Sequence, residues 1–314
     1  MIWEIVEAIL LIAFLIYGFV SFQIYRKAIR TERFSTGGLV DQSDPFFSKS
    51  WEWFQNIPKE TVTIRAYDHS ILSAVYLPSF DKNSTNTAIL CHGYHGANTD
   101  MVIIAKMYSE LGFRVLMPDA RGHGMSKGKF TSFGHYESYD LRRWIQYLLR
   151  TYGAQDSLLL HGVSMGAATI LLAAGSGLSE NVKALVADSP FSSSFSVLAR
   201  GIKPRILSVF LPGVSLICGY FHRFFLSQSN VKRAVRKSHL PLFLFHGEED
   251  ELCPFAQAKR LLSASTSTDK RLYGIPKAKH AEGYIRDREG LDSAILAFLQ
   301  PYFTLPKSVL PKKK

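Results

Sequence analysis

Hydrophobic and polar positions change character twice along this chain. From Ala8 to Tyr25 no residue is charged and most are apolar (AILLIAFLIYGFVSFQIY), a run long enough at helical rise to cross a bilayer core. Glu4 and Glu7 precede the run, and Arg26, Lys27, Arg30 and Arg33 follow it. A secretory leader would carry basic residues first and a small-residue cleavage site afterwards. The pattern therefore predicts a membrane anchor over residues 1–30, with the basic flank and the chain after it on the cytoplasmic side of the cell membrane. Residues 31–58 read as a connector. It holds Gly37-Gly38, Asp44-Pro45 and an aromatic patch of Trp51, Trp53 and Phe54, which suits packing on the following domain better than resting in lipid.

A globular domain is predicted over 59–314. Thr61–Ala66 and Ile71–Leu77 read as two strands around the polar turn Asp68-His69. From Thr87 the pattern becomes short apolar strands separated by amphipathic helices, the mark of a mostly parallel sheet covered on both faces. The strands expected are Ala88–Cys91, Val115–Met117, Leu158–His161, Ala184–Ala187, Leu242–Phe245 and Arg271–Ile275. Helices are expected from Asp100 to Leu111 with Gly112 as terminator, and from near His135 along the face Leu141, Trp144, Ile145, Leu148, Leu149 and Tyr152. A last helix is expected over Leu291–Phe303. Phe191–His239 interrupts the alternation with mixed apolar and basic helical patterning, and it is too long for a structureless loop in a compact domain. A helical cap at about 191–239 is the reading, placed over the carboxyl edge of the sheet.

The most informative stretch is Leu158–Ala174, LLLHGVSMGAATILLAA. A buried strand enters Gly162-Val163-Ser164-Met165-Gly166 and a small-residue helix leaves it, the order of a strand, a strained turn and a helix that lifts a serine hydroxyl out of the sheet. The helix N-terminus offers backbone N–H groups to a developing oxyanion. A serine hydroxyl needs a histidine base, and the base needs an acid to fix its tautomer. On an open parallel sheet these partners belong on loops after later strands. Two such loops carry them: His246-Gly247-Glu248-Glu249-Asp250-Glu251-Leu252-Cys253-Pro254, and Ala278-Lys279-His280-Ala281-Glu282-Gly283-Tyr284. The order Ser164, Asp250, His280 is the one this architecture expects, with Glu248, Glu249, Glu251 and Asp188 as rival acids.

Together with His92-Gly93-Tyr94-His95-Gly96 and Asp119-Ala120-Arg121-Gly122-His123-Gly124-Met125-Ser126, these motifs make the chain from about residue 60 resemble the α/β-hydrolase superfamily. More closely it resembles membrane-anchored bacterial serine hydrolases related to the serine aminopeptidase and prolyl oligopeptidase-like groups. The resemblance implies an α/β-hydrolase fold with Ser164 as nucleophile, His280 as general base and Asp250 as acid, and an oxyanion hole from the backbone N–H groups of Tyr94 and Met165. It implies that Arg121 and His123 stabilise the loop bordering the site. Cys253 stands where the family usually has valine. The expected activity is cleavage of a carboxylic ester, lipid ester or thioester through an acyl-enzyme. Peptidase or acylaminoacyl cleavage is the runner-up, and a non-catalytic membrane-bound binding protein is the alternative of another class.

Composition narrows this. The net charge of +11 is clustered after the anchor, in Lys232–Lys237 and in Lys312-Lys313-Lys314, without the aromatic interleaving of a nucleic-acid reader. A domain beside anionic lipid accounts for it more simply than nucleic acid. Three scattered cysteines, Cys91, Cys218 and Cys253, are too few for a disulfide framework and fit a reducing compartment. There is no H-E-x-x-H, paired C-x-x-C, G-x-G-x-x-G or P-loop, so neither metal nor nucleotide cofactor is expected. The partners expected are a small-molecule or lipid acyl substrate and the membrane.

Overall fold

The computed structural model describes residues 1–31 and 45–306. The Gly37-Gly38 pair, Arg33, Asp44 and the terminal lysines lie outside the described residues. Eight strands form one sheet: β1 (Glu60–Arg65), β2 (Ile71–Leu77), β3 (Asn86–Cys91), β4 (Arg114–Pro118), β5 (Ser157–Val163), β6 (Val182–Asp188), β7 (Leu242–Gly247) and β8 (Lys270–Ile275). Their order is β1-β2-β4-β3-β5-β6-β7-β8. β1 and β2 form the expected antiparallel hairpin, β2 lies antiparallel to β4, and β3 to β8 are parallel throughout. β3 and β7 are buried along their whole length, which is why Ala88–Cys91 and Leu242–Phe245 read as apolar runs rather than as alternation.

The helices are α1 (Ile2–Ala28), α2 (Pro45–Asn56), α3 (Val102–Glu110), α4 (His135–Thr151), α5 (Met165–Ala174), α6 (Ser194–Gly201), α7 (Leu211–His222), α8 (Val231–Val235), α9 (Phe255–Ala264), α10 (Gly283–Arg286) and α11 (Arg288–Leu299). One hydrophobic layer packs α4 and α5 against one face of the sheet, and a second packs α2, α3 and α11 against the other. Most strand and helix ends shift by one or two residues, and three further differences have a local cause. The region read as connector contains α2, because Phe47, Trp51 and Phe54 recur at helical spacing and pack on one another, with Phe54 buried in the second layer. α11 starts three residues earlier than expected because the Asp287 carboxylate caps it by accepting from Gly290 N. It also stops earlier, at Leu299, just before Pro301.

α1 is 27 residues long; its apolar side chains as far as Ile16 stand outside the fold, with Phe14 71 % exposed, while Ile24 and Tyr25 are buried against the domain. It is long and apolar enough to cross a membrane. Between β6 and β7 the chain forms α6, a 3-10 segment over Arg205–Phe210, α7, a short 3-10 turn at Leu226–Gln228, and α8. This helical insertion occupies the stretch assigned to a cap.

Candidate active site

The site is assembled at the carboxyl ends of β5, β6, β7 and β8. Ser164 joins β5 to α5 with φ 53° and ψ −108°, a left-handed conformation that costs an L residue energy and persists only where its surroundings over-determine it. Here the constraints are backbone. Ser164 N donates to Asp188 O at 2.8 Å. A Cβ on Gly166 would lie 1.9 Å from Cys91 O, and one on Gly162 would lie 2.3 Å from the Gly166 carbonyl. Both glycines are therefore required for β3, β5 and α5 to close on the serine.

The loops after β7 and β8 are zipped together by Glu248 N to Ile275 O at 3.0 Å and Glu249 N to Ala278 O at 3.0 Å. That crossing brings His280 onto both partners. Its Nδ1 meets Asp250 Oδ2 at 2.7 Å, and its Nε2 meets Ser164 Oγ at 2.8 Å. With a carboxylate at Nδ1, the proton sits there and Nε2 is left to accept from the serine. Ser164 is 8 % exposed, and the His280 side chain is partly open to solvent.

Asp250 is buried, and burial opposes its charge. Hydrogen bonds from His246, His280 and the Cys253 N–H nonetheless hold its carboxyl well below the usual carboxylate range. Of the rival acids, Glu248, Glu249 and Glu251 face solvent. Asp188 is buried, accepts from Ser189 Oγ at 2.8 Å, and is pushed up to about 6 chiefly by desolvation.

His246 is a member of the cluster that sequence reasoning passed over. It is fully buried, with Nε2 3.1 Å from Asp250 Oδ2 and hydrogen-bonded to Cys253 O. Two acceptors around Nε2 place the proton there, so His246 donates to the acid. Its place at the head of the HGEEDELCP motif was the available signal.

Met165 opens α5, with its N–H at the helix N-terminus beside Ser164. Tyr94 lies on the loop that leaves β3 against the elbow, and its hydroxyl donates to Ala28 O at 3.0 Å. A cavity of about 70 Å³ lies at this junction, lined by Gly93, Val163, Asp188 and Ala281 with the apolar Ile104 and Tyr284.

The neighbouring histidines are held by the fold. His92 Nδ1 donates to Gly93 O at 2.7 Å while its Nε2 accepts from Ala120 N, and burial lowers it to about 4. His123 donates from Nδ1 to Arg121 O and accepts from His95 N. Arg121 makes a two-pronged pair with Asp140, both bonds 2.8 Å, and reaches Asp68 at 3.0 Å. His161 is buried against the Tyr108 hydroxyl, 2.8 Å from its Nδ1. Among the described residues, Asp250, Cys253 and His280 bring potential metal ligands within 4.8 Å of one another. They do not fit a resident metal. Both His280 nitrogens are engaged, and burial pushes the Cys253 thiol well above its ordinary value.

A doubly covered parallel sheet with a serine elbow and this relay defines a class, and comparison with known proteins agrees. Residues 87–210 match the α/β-hydrolase fold model, and residues 211–282 match the serine aminopeptidase (S33) model. The chain belongs to the α/β-hydrolase superfamily and is a hydrolase by family. It is 29 % identical over 258 residues to the uncharacterized protein YqkD of Bacillus subtilis, covering 79 % of this chain and 82 % of that one. It is 30 % identical to the uncharacterized protein YfhR of Escherichia coli K12, covering 74 % and 76 %. An uncharacterized membrane protein of Saccharomyces cerevisiae is 26 % identical, covering 74 % and 77 %. Among solved structures, a Pyrococcus furiosus esterase superposes with a TM-score of 0.68 at 23 % identity, covering 88 % of this chain and 98 % of that one.

Proposed function

We propose that this chain is a membrane-anchored serine hydrolase that cleaves carboxylic esters through an acyl-enzyme. The observation that carries the reading is the unbroken relay from Asp250 through His280 to a strained Ser164. Ser164 Oγ attacks the acyl carbon as its proton passes to His280 Nε2. His280 then protonates the departing alkoxide, and the alcohol leaves. Water, deprotonated by His280, attacks the acyl-enzyme, the Ser164 ester bond breaks, and the acid departs. Asp250 holds the imidazole by Nδ1 and stabilises the imidazolium. The N–H groups of Met165 and Tyr94 are assigned to the oxyanion, where one such donor is typically worth about 3 kcal/mol of barrier. The esterase neighbour supports ester over amide. The aminopeptidase match over residues 211–282, which contain Asp250 and His280, favours a second reading as a peptide or acylaminoacyl hydrolase.

The exposed apolar α1 supports anchoring, the yeast membrane relative agrees with it, and the basic flank supports a cytoplasmic domain. The test is hydrolysis of p-nitrophenyl esters of increasing acyl length, beside aminoacyl anilides, by the detergent-solubilised protein and Ser164→Ala. Ester turnover lost in the variant is the expected result. Anilide turnover alone would favour the second reading, and no turnover on either series would refute the enzyme.

A further inference from the structure

The last third of α1 is not free of the domain. Tyr17 Oη donates to Val209 O at 3.2 Å, Ser21 Oγ donates to Phe210 O at 3.3 Å, and Tyr25 Oη meets His222 Nε2 at 2.7 Å. Residue numbers rise together along both segments, so α7 lies beside α1 and runs parallel to it. A Cβ on Gly213 would sit 2.3 Å from Ser21 Oγ, so the two helices meet at the close approach that small residues allow.

This packing constrains where the membrane can be. A bilayer core takes about 20 helical residues. Were the cap wholly in water, the span would have to end before Tyr17, and the roughly 20 residues a core takes would then bring Glu4 and Glu7 into hydrocarbon. If Arg26 and Lys27 instead mark the headgroups, Tyr17–Tyr25 lies in hydrocarbon, about 12 Å deep along the helix axis. α7 must then lie there too.

The surface that α7 and the preceding 3-10 segment turn outward has the composition this requires. Ile206, Val209, Leu216, Tyr220 and Phe221 are exposed, Leu216 by 67 % and Tyr220 by 83 %. Residues 205–222 have a mean hydropathy of 1.3. Exposed Arg223 follows His222, level with Tyr25, where its charge is complementary to anionic headgroups.

We propose that the cap is a second membrane contact: the 3-10 segment and α7 are immersed, alongside the C-terminal third of α1, in the leaflet facing the catalytic domain, with an anionic bilayer as partner. The proposal rests on the reading of α1 as a membrane span. The Tyr94 bond to Ala28 O ties the candidate oxyanion loop to the point where α1 leaves the leaflet, which sets the site at the bilayer surface, where a membrane-resident acyl lipid is presented.

The test uses the full chain in phosphatidylcholine–phosphatidylglycerol vesicles, with a single bimane label at Leu216→Cys or Tyr220→Cys. Phe14→Cys is the mid-span reference, and Glu180→Cys, at the amino end of β6 and so opposite the cap, is the reference in water. The native cysteines are buried. Lipids brominated on the acyl chain are expected to quench positions 216 and 220 at least half as strongly as position 14, and position 180 hardly at all. Strong quenching at 14 with none at 216 and 220 would overturn the proposal while leaving the anchor intact. If those two labels were also shielded from aqueous iodide, a second copy of the chain would be the occupant instead. No quenching at 14 would overturn both the anchor and the proposal.

Discussion

Asp188 supplies the sharpest separation of fold chemistry from site chemistry. Its carboxyl is 2 % exposed and accepts from Ser189 Oγ, and His280, His246 and Asp250 are near enough to act on its charge. Desolvation lifts it from 3.8 to about 6, a difference of about 2 units, or about 3 kcal/mol at 1.36 kcal/mol per unit. The native state then holds this proton more tightly than the unfolded chain does. Between about pH 4 and pH 6 the native protein binds more protons, so its stability falls as pH rises through that window. Asp188→Asn keeps the shape and the acceptor but removes the titration. Urea unfolding of the solubilised protein should show the variant gaining about 3 kcal/mol relative to the parent between pH 4 and pH 7. A gap constant with pH would refute the reasoning. Ester turnover at pH 7 should survive in Asp188→Asn, whereas Asp250→Asn should lose about 10⁴ in kcat because His280 is left in the wrong tautomer.

Two further substitutions probe the supports of the site. His246→Phe removes a donor to a buried carboxylate, a loss of about 1.5 kcal/mol. It should lower kcat/KM about tenfold through kcat, while His246→Gln, which keeps a donor, recovers most of it; equal rates in all three proteins would remove His246 from the site. Gly166→Ala forces a methyl group onto the Cys91 carbonyl, which is backbone and cannot rotate away, so a destabilisation of about 3 kcal/mol or more is expected in thermal unfolding. An unchanged midpoint would contradict the close approach.

The central strands were legible because burial on both faces leaves a continuous apolar run, and the elbow was legible because its two glycines answer to specific backbone contacts. The order of Ser164, Asp250 and His280 followed from loops at the ends of successive parallel strands, and the fold brings those three side chains together. α2 was read as connector because the helical spacing of its aromatic residues lies within an irregular, polar stretch. The early start of α11 depends on one capping carboxylate, Asp287. His246 was obscure because a fully buried histidine at a strand end looks in sequence like a packed residue, and only its distance to Asp250 distinguishes it. The docking of α7 on α1 joins residues nearly two hundred positions apart, and no local pattern encodes such a contact.

The central claim, that Ser164 is an activated nucleophile, is tested most directly by intact-mass analysis after exposure to a fluorophosphonate. The account predicts one adduct per chain, located on the peptide containing Gly162–Gly166 and absent from Ser164→Ala. A folded protein that takes up no adduct, or one that is labelled equally in Ser164→Ala, would contradict it.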